Sequence, residues 1–149
     1  MEDSQLKLSN QICFPLYSVS RLITKAYKPF LDKMEITYPQ YLVLLVLWEN
    51  DNLTVNQITE KLLLNTNTLS PMLKRMEKLE LIERNRSKED ERSVIIKLTQ
   101  RGKDLKTKAA CIPNELASVL VTQNIQVEDV MNLKNILNEW IDVLSKEEK

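Results

Sequence analysis

Two thiols dominate what this sequence could do chemically: Cys13, inside "NQICFPLYSVS" (residues 10–20), and Cys111, two residues before Pro113. The chain has no histidine, so Cys-His and Ser-His-Asp catalysis are excluded, and Cys and His alone do not supply a four-ligand zinc site. A cysteine reacts as its thiolate. Without histidine, the groups left to stabilise that charge are helix N-terminal N–H groups and tyrosine hydroxyls. Tyr17 lies one helical turn beyond Cys13 and offers such a hydroxyl from the same chain. Cysteine also serves as a small buried hydrophobe, so at this point a packing reading and a redox reading both stand for Cys13. The same holds for Cys111, either packed on a helix or available to condense with a sulfenic acid.

Composition narrows the setting for that chemistry. A length of 149 residues with 43% hydrophobic residues suits one domain with a buried core. One glycine is far below the usual share of about 7%. That scarcity favours a mainly helical chain and argues against phosphate-cradling loops and β-sandwiches. Neither a metal nor an organic cofactor is expected. Lys+Arg and Asp+Glu are both 21, so any nucleic-acid contact must come from local geometry and not from a bulk positive field. The start "MEDSQLKLSNQ" is unlike a signal peptide, and "YLVLLVLW" (41–48) is far too short to span a bilayer. A cytoplasmic protein with no membrane partner is expected, in which a redox thiol is more plausible than a structural disulfide.

The elements that must position the thiols and any binding surface follow from periodicity. Ile12, Leu16, Val19, Leu22, Ile23 and Tyr27 recur at helical spacing from Ser9 to about Leu31. A start at Ser9 puts Cys13 about one turn into the helix, and Pro15 then demands a kink or a later start. A buried helix should open near Thr37 or Tyr38 with Pro39 in its first turn. Thr54 and Gln57 have capping-box spacing, with Val55, Ile58 and Leu62 on one face. A helix over 66–81 is announced by Asn65, Thr66, Asn67 and Thr68, with Pro71 in or near its first turn. Leu69, Leu73 and Met76 make its core stripe. The period then changes, and "LIERNRS" and "SVIIKLT" read as a hairpin over 81–98 with a charged tip. Thr99 caps a further helix, Pro113 breaks or kinks it, and an amphipathic helix carrying Val130, Leu133, Trp140 and Leu144 ends the chain. The closing "SKEEK" is expected to fray.

Two short helices with a tight polar turn, followed by a hairpin, predict a winged helix-turn-helix. The surplus apolar surface of the terminal helices predicts a homodimer. Residues 66–92 hold seven Lys/Arg and six Asp/Glu, so charge alone does not mark a nucleic-acid surface; position does. Thr66, Asn67, Thr68 and Ser70 stand at a helix N-terminus, where they can reach phosphates and base edges of double-stranded DNA. Lys74 and Arg75 follow one turn later. Arg92 on a slim hairpin suits a minor groove, with Asp90 expected to fix its guanidinium and Arg84 and Arg86 expected on phosphates.

The stretch "LTVNQITEKLLLNTNTLSPMLKRMEKLELIERNRSKEDERSVIIKLTQRG" resembles the winged-helix core of the MarR family, above all in its "KEDERS" wing and the "LT" and glycine of its strand-to-helix junction. "NQICFPLYSVSRLITKAYKPFLDKMEITYPQYLVLLVLWE" resembles one branch of it, the organic-hydroperoxide-sensing OhrR-like repressors. The resemblance implies a homodimeric transcriptional repressor of a pseudo-palindromic DNA operator. It makes Cys13 the peroxide-sensing thiol, approached by Tyr27 and Tyr38 of the partner subunit. Some branch members resolve the oxidised cysteine with a second one, here Cys111, and others with a low-molecular-weight thiol. The resemblance implies one MarR-type domain over 1–149, with 37–98 as the DNA-binding lobe and 1–36 with 99–149 as the dimerisation region. At "LNTNTLSP" the sequence departs from the aspartate-serine-glycine opening common in the branch, so the operator sequence does not carry over. Two other readings remain: a MarR repressor answering to phenolic ligands with Cys13 structural, and a thiol-dependent peroxide reductase.

Overall fold

The protein is described by a computed structural model over residues 3–147. The chain divides into two compact units, Met1–Ala110 and Cys111–Lys149. The first opens with two short 3₁₀ turns, Asp3–Leu6 and Leu8–Asn10, followed by α1, Cys13–Asp32. Helix α1 therefore begins four residues later than Ser9. The reason is Pro15: in the first turn its missing N–H costs nothing, because those N–H groups have no intrahelical partner. Cys13 is consequently the first residue of the helix, not one turn in.

Helix α2, Tyr38–Glu49, is capped by Thr37, whose backbone N–H donates to Gln40 Oε1 at 2.9 Å, with Pro39 in the first turn. It is apolar on nearly every side, and Tyr41, Val43, Leu44, Val46 and Leu47 are all buried. Such a helix belongs at the centre of a unit. Helix α3, Val55–Leu62, starts on the capping box expected from its sequence: Thr54 N–H donates to Gln57 Oε1 at 2.8 Å, and Gln57 N–H donates to Thr54 Oγ1 at 3.2 Å. Its C-cap, Leu63, is left-handed with φ 53°, a conformation that turns the chain sharply into α4, Thr66–Lys78.

Among the four candidate caps for α4, Asn65 takes the position and accepts from Thr68 N–H at 2.8 Å. Leu69, Leu73 and Met76 are fully buried, and Met72 is buried beside them. Pro71 lies in the second turn of α4 and not the first, so one backbone hydrogen bond, from position 71 to the Asn67 carbonyl, is missing from the helix. The helix ends at Lys78, three residues short of Leu81, where Glu80 turns left-handed with φ 57°.

Strands β2 (Ile82–Arg86) and β3 (Val94–Leu98) pair antiparallel from Ile82 opposite Leu98 to Arg86 opposite Val94. A third strand, β1 (Leu53–Thr54), joins the far edge of β3, with Leu53 opposite Ile96, giving the order β1-β3-β2. Helix α5, Gln100–Ala109, starts on Thr99, whose Oγ1 accepts from Gly102 N–H at 3.0 Å. Gly102 is the only glycine of the chain, and the structure shows why it is glycine: a Cβ there would stand 2.1 Å from the carbonyl oxygen of Leu81.

The second unit holds α6, Ile112–Leu120, with Pro113 in its first turn, and α7, Val127–Glu147. The break at Pro113 is as expected. Leu133, Ile136, Trp140, Ile141 and Leu144 of α7 are exposed on the single chain. Of the "SKEEK" end, Ser145 to Glu147 are still helical and the last two residues lie outside the described residues.

Candidate functional site

Helix α1 presents Cys13 in its first turn. No side chain caps this helix at Ile12, so the exposed Cys13 thiol stands at the positive end of the α1 dipole, where negative charge is favoured. Its neighbours Ile12 and Phe14 are exposed, as are Val19 and Leu22 further along α1, so apolar surface is left open on the single chain.

Tyr17 does not hydrogen-bond Cys13 among the described residues. Its ring instead carries the Arg21 guanidinium 5.3 Å from the centroid. Tyr27 and Tyr38 do come together, with centroids 4.8 Å apart and planes at 55°. Tyr27 is fourteen residues beyond Cys13 on one helix, about 21 Å along its axis at a rise of ~1.5 Å per residue. The pair is therefore out of reach of Cys13 in the same chain, so a Cys13 thiol can meet it only from a second chain.

Sequence reasoning missed the third member of this group. Tyr41, assigned only to the core, lies 5.7 Å from Tyr27 and 6.3 Å from Tyr38 between centroids. Its position one turn after Tyr38 was the available signal. Burial, with the neighbouring Tyr38 and Tyr41 adding to it, pushes the Tyr27 phenol up from 10.0 to about 12. Burial also raises Tyr38. Both phenols thus stay protonated at neutral pH, which makes them hydrogen-bond donors to a sulfur anion and not competing anions. A spectrophotometric phenolate titration should show Tyr27 ionising near pH 12, and Tyr27→Phe should remove that step. Because the folded value lies above the unfolded one, this group's stabilisation is complete below pH 10 and is lost as pH rises towards 12. A step lost near pH 10 instead of near 12 in Tyr27→Phe would show that the phenol is not shielded.

Cys111 is exposed and occupies the N-cap position of α6. It lies in the turn between α5 and α6, neither packed in a helix nor on the helix after the wing as expected. Proline at position 113 breaks the helical run there and leaves the thiol at the surface.

The second surface is formed by α4 and the hairpin. Thr66, Asn67 and Thr68 are the first three residues of α4 and are exposed, as are Lys74 and Arg75; Ser70 is partly covered. All lie off the buried stripe. A cavity of ≈ 180 Å³ is bordered by Thr66 and Ser70 of α4, Arg84, Arg92 and Ser93 of the hairpin, and Thr54 and Asn56 at the start of α3. Asn56 was not anticipated. It reaches this surface because β1 pairs with β3 and carries the α3 N-terminus to the base of the wing.

Two expectations on the wing are corrected. Asp90 does not fix the Arg92 guanidinium: its carboxylate accepts from the Arg92 backbone N–H at 3.0 Å and from Ser93 Oγ at 2.9 Å. A seven-residue tip needs its own backbone groups satisfied, and Asp90 does this with Ser87, whose Oγ accepts from Glu89 and Asp90 N–H groups. Arg92 is left exposed. Arg84 is not a free cation for phosphate. It is half-buried with Nη1 3.6 Å from Glu77 Oε2 of α4, and its Nε is buried without a partner. Arg86 is exposed.

A recognition helix with a polar N-terminus, a flanking wing with an exposed arginine and a preceding short helix define a winged helix-turn-helix DNA-binding protein. A family model described as transcriptional regulator SarA/Rot matches residues 25–109. The organic hydroperoxide resistance transcriptional regulator of Bacillus subtilis (strain 168) is 52% identical over 139 residues, 93% of this chain and 92% of the relative. Among solved structures, reduced AbfR bound to DNA has a TM-score of 0.79 at 38% identity, covering 100% of both chains. Overoxidized AbfR bound to DNA has 0.75 at 38%, covering 98% of both. Disulfide-formed AbfR has 0.63 at 39%, covering 95% of this chain and 97% of that one. AbfR is a protein of Staphylococcus epidermidis. The chain belongs to the MarR family, in its organic-hydroperoxide-sensing branch. No described helix is long and apolar enough to cross a membrane.

Proposed function

We propose that this protein is a redox-sensing DNA-binding repressor, acting in the cytoplasm as a homodimer on a pseudo-palindromic operator. The observation that carries the reading is an exposed thiol in the first turn of α1 together with a shielded Tyr27–Tyr38 pair that Cys13 can reach only from a second chain. The exposed apolar residues of α1 and α7 supply the surface for that second chain, since each such side chain gains about 1.5–3 kcal/mol on full burial. In this reading 37–98 is the DNA-binding lobe, and 1–36 with 99–149 form the dimer.

The chemistry balances without a cofactor. The Cys13 thiolate attacks the distal oxygen of a hydroperoxide ROOH, an S–O bond forms, the O–O bond breaks, and ROH leaves once the alkoxide takes a proton. The sulfenic acid then condenses with a second thiol, from Cys111 of the partner or a small thiol, to a disulfide and water. Phenols of Tyr27 and Tyr38 hold the sulfur anion by donation. That AbfR has been solved on DNA when overoxidized supports the disulfide, not oxidation as such, as the releasing event. At nearly equal identity, the lower TM-score of its disulfide form fits the same view. Release follows when the two recognition helices no longer match successive major grooves, about 34 Å apart.

Thr66, Asn67, Thr68 and Ser70 are proposed at base edges and phosphates, Lys74, Arg75 and Arg86 at phosphates, and Arg92 in the minor groove. Arg84 and Asp90 are proposed as the framework that aims them. Arg92→Ala should lower operator affinity by roughly 1–3 kcal/mol with the dimer intact by sedimentation; parental affinity in that variant removes the wing from the interface. The deciding test is a gel shift of the upstream DNA with reduced against hydroperoxide-treated protein. One stoichiometric oxidation with loss of the shifted band is expected, whereas multiple turnovers with a thiol reductant would indicate a peroxide reductase.

One observation favours a second reading. A groove of ≈ 550 Å³ beside Tyr38 is lined by Arg21, Lys25 and Lys28 together with Leu31 and Ile36, dimensions and chemistry suited to a small aromatic carboxylate. Release of DNA from Cys13→Ser by a salicylate-like compound would support it.

A further inference from the structure

The aromatic contacts do not stop at the three tyrosines. Trp48, near the C-terminal end of α2, meets Tyr41 edge-on, with centroids 6.1 Å apart and planes at 69°. Its indole Nε1 donates to the carbonyl of Gly102 in α5 at 2.9 Å, and Lys106 Nζ, one turn later in α5, donates to the Trp48 carbonyl at 3.2 Å. Gly102 in turn is held against Leu81, where α4 hands over to β2. Thr99 closes the same junction: its N–H donates to the Leu81 carbonyl at 3.1 Å and its Oγ1 to the Glu80 carbonyl. A continuous set of contacts therefore runs from Tyr27 on α1, through Tyr38, Tyr41 and Trp48 on α2, to the point from which recognition helix and wing both depart.

We propose that Trp48 is the positioning residue through which the tyrosine cluster sets the recognition helix and wing. Three features carry this. The chain of contacts is made of packed rings on a buried helix, and close-packed interiors pass on displacement instead of absorbing it. The link between α2 and α5 at Trp48 is directional, since a partly buried indole N–H needs its acceptor and moves with it. The acceptor belongs to Gly102, whose backbone lies so close to the Leu81 carbonyl that not even a Cβ would fit between them, so motion of Gly102 is passed to the end of α4. The inference rests on the proposed sensing by Cys13 and adds the route by which that event reaches the DNA-binding surface.

Trp48→Phe keeps a ring against Tyr41 and removes only the N–H. The reduced variant should bind operator within about twofold of the parent. Hydroperoxide should oxidise its Cys13 at the parental rate, measured by trapping the sulfenic acid, yet DNA release at full oxidation should fall by about tenfold. Parental release in the oxidised variant overturns the proposal. So does loss of DNA binding by the reduced variant, which would make Trp48 structural, or slowed oxidation, which would place it in the sensing chemistry. Failure of the sensing reading is distinct, because wild-type protein itself would then keep its DNA. If Trp48→Phe does not fold, a Trp140→Phe protein leaves Trp48 as the sole indole. Its emission should shift on complete Cys13 oxidation as the Gly102 hydrogen bond changes, and an unchanged spectrum overturns the proposal.

Discussion

Replacing Cys13 by serine should leave a repressor that hydroperoxide no longer removes from DNA. The side chain is exposed at the first position of α1, so little packing is lost, and serine is nearly isosteric. Surface changes of this kind stay within about 0.5 kcal/mol, so fold and reduced-state affinity should hold within about twofold. The hydroxyl cannot form a sulfenic acid or a disulfide, so release should be abolished, not slowed. Cys111→Ser should separate the two resolving routes. If Cys111 of the partner resolves, that variant still forms the sulfenic acid but releases DNA poorly until a small thiol is added. Non-reducing electrophoresis of oxidised wild type then shows a dimer-mass band missing from either variant. If no such band forms and Cys111→Ser responds normally, a small thiol caps Cys13. Release of DNA from peroxide-treated Cys13→Ser would return Cys13 to the packing role that its sequence also allowed.

Gly102→Ala should be among the most damaging single-methyl changes in the chain. In an ordinary helix this substitution is favourable by about 1 kcal/mol. Here the new Cβ would lie 2.1 Å from Leu81 O and 3.1 Å from Leu98 Cδ2. The first obstacle is backbone and cannot rotate away, so α5 or the α4–β2 junction must shift. That shift pulls on the Gly102 N–H bond to Thr99, the Trp48 bond to the Gly102 carbonyl and the Thr99 bond to Leu81. Overpacking costs about 1–3 kcal/mol and sometimes more, and the loosened bonds add to it. A net loss of roughly 3 kcal/mol should appear as a lower denaturant midpoint, with operator binding weakened in parallel. An alanine variant as stable as the parent would mean that α5 can move off Leu81 freely, and the junction would not be the rigid point described above.

What could be read from the residues alone was whatever short-range chemistry decides. Helix starts were legible at Thr37, Thr54, Asn65 and Thr99 because a cap is satisfied by N–H groups two or three residues away. The α4 core stripe and the β2–β3 hairpin were legible because apolar period and alternation are properties of a single segment. Membership of the branch was legible in residues 10–49, whose pattern resembles it. Other features depended on partners distant in the chain. Strand β1 has two residues and no period of its own; it exists as a strand only because Leu53 and Thr54 find Ile96 and Ile95. Tyr41 read as core until α1 laid Tyr27 beside it. Asp90 pointed at Arg92 by adjacency, but the unsatisfied backbone of the wing tip claimed its carboxylate. Arg84 read as a surface cation until Glu77 of α4 came within 3.6 Å. The single glycine was conspicuous by count, yet its purpose depended on a carbonyl twenty-one residues earlier. Local hydrogen bonds and periodicities are encoded next to the residues that use them, whereas close approach between distant segments is set only when the whole core packs.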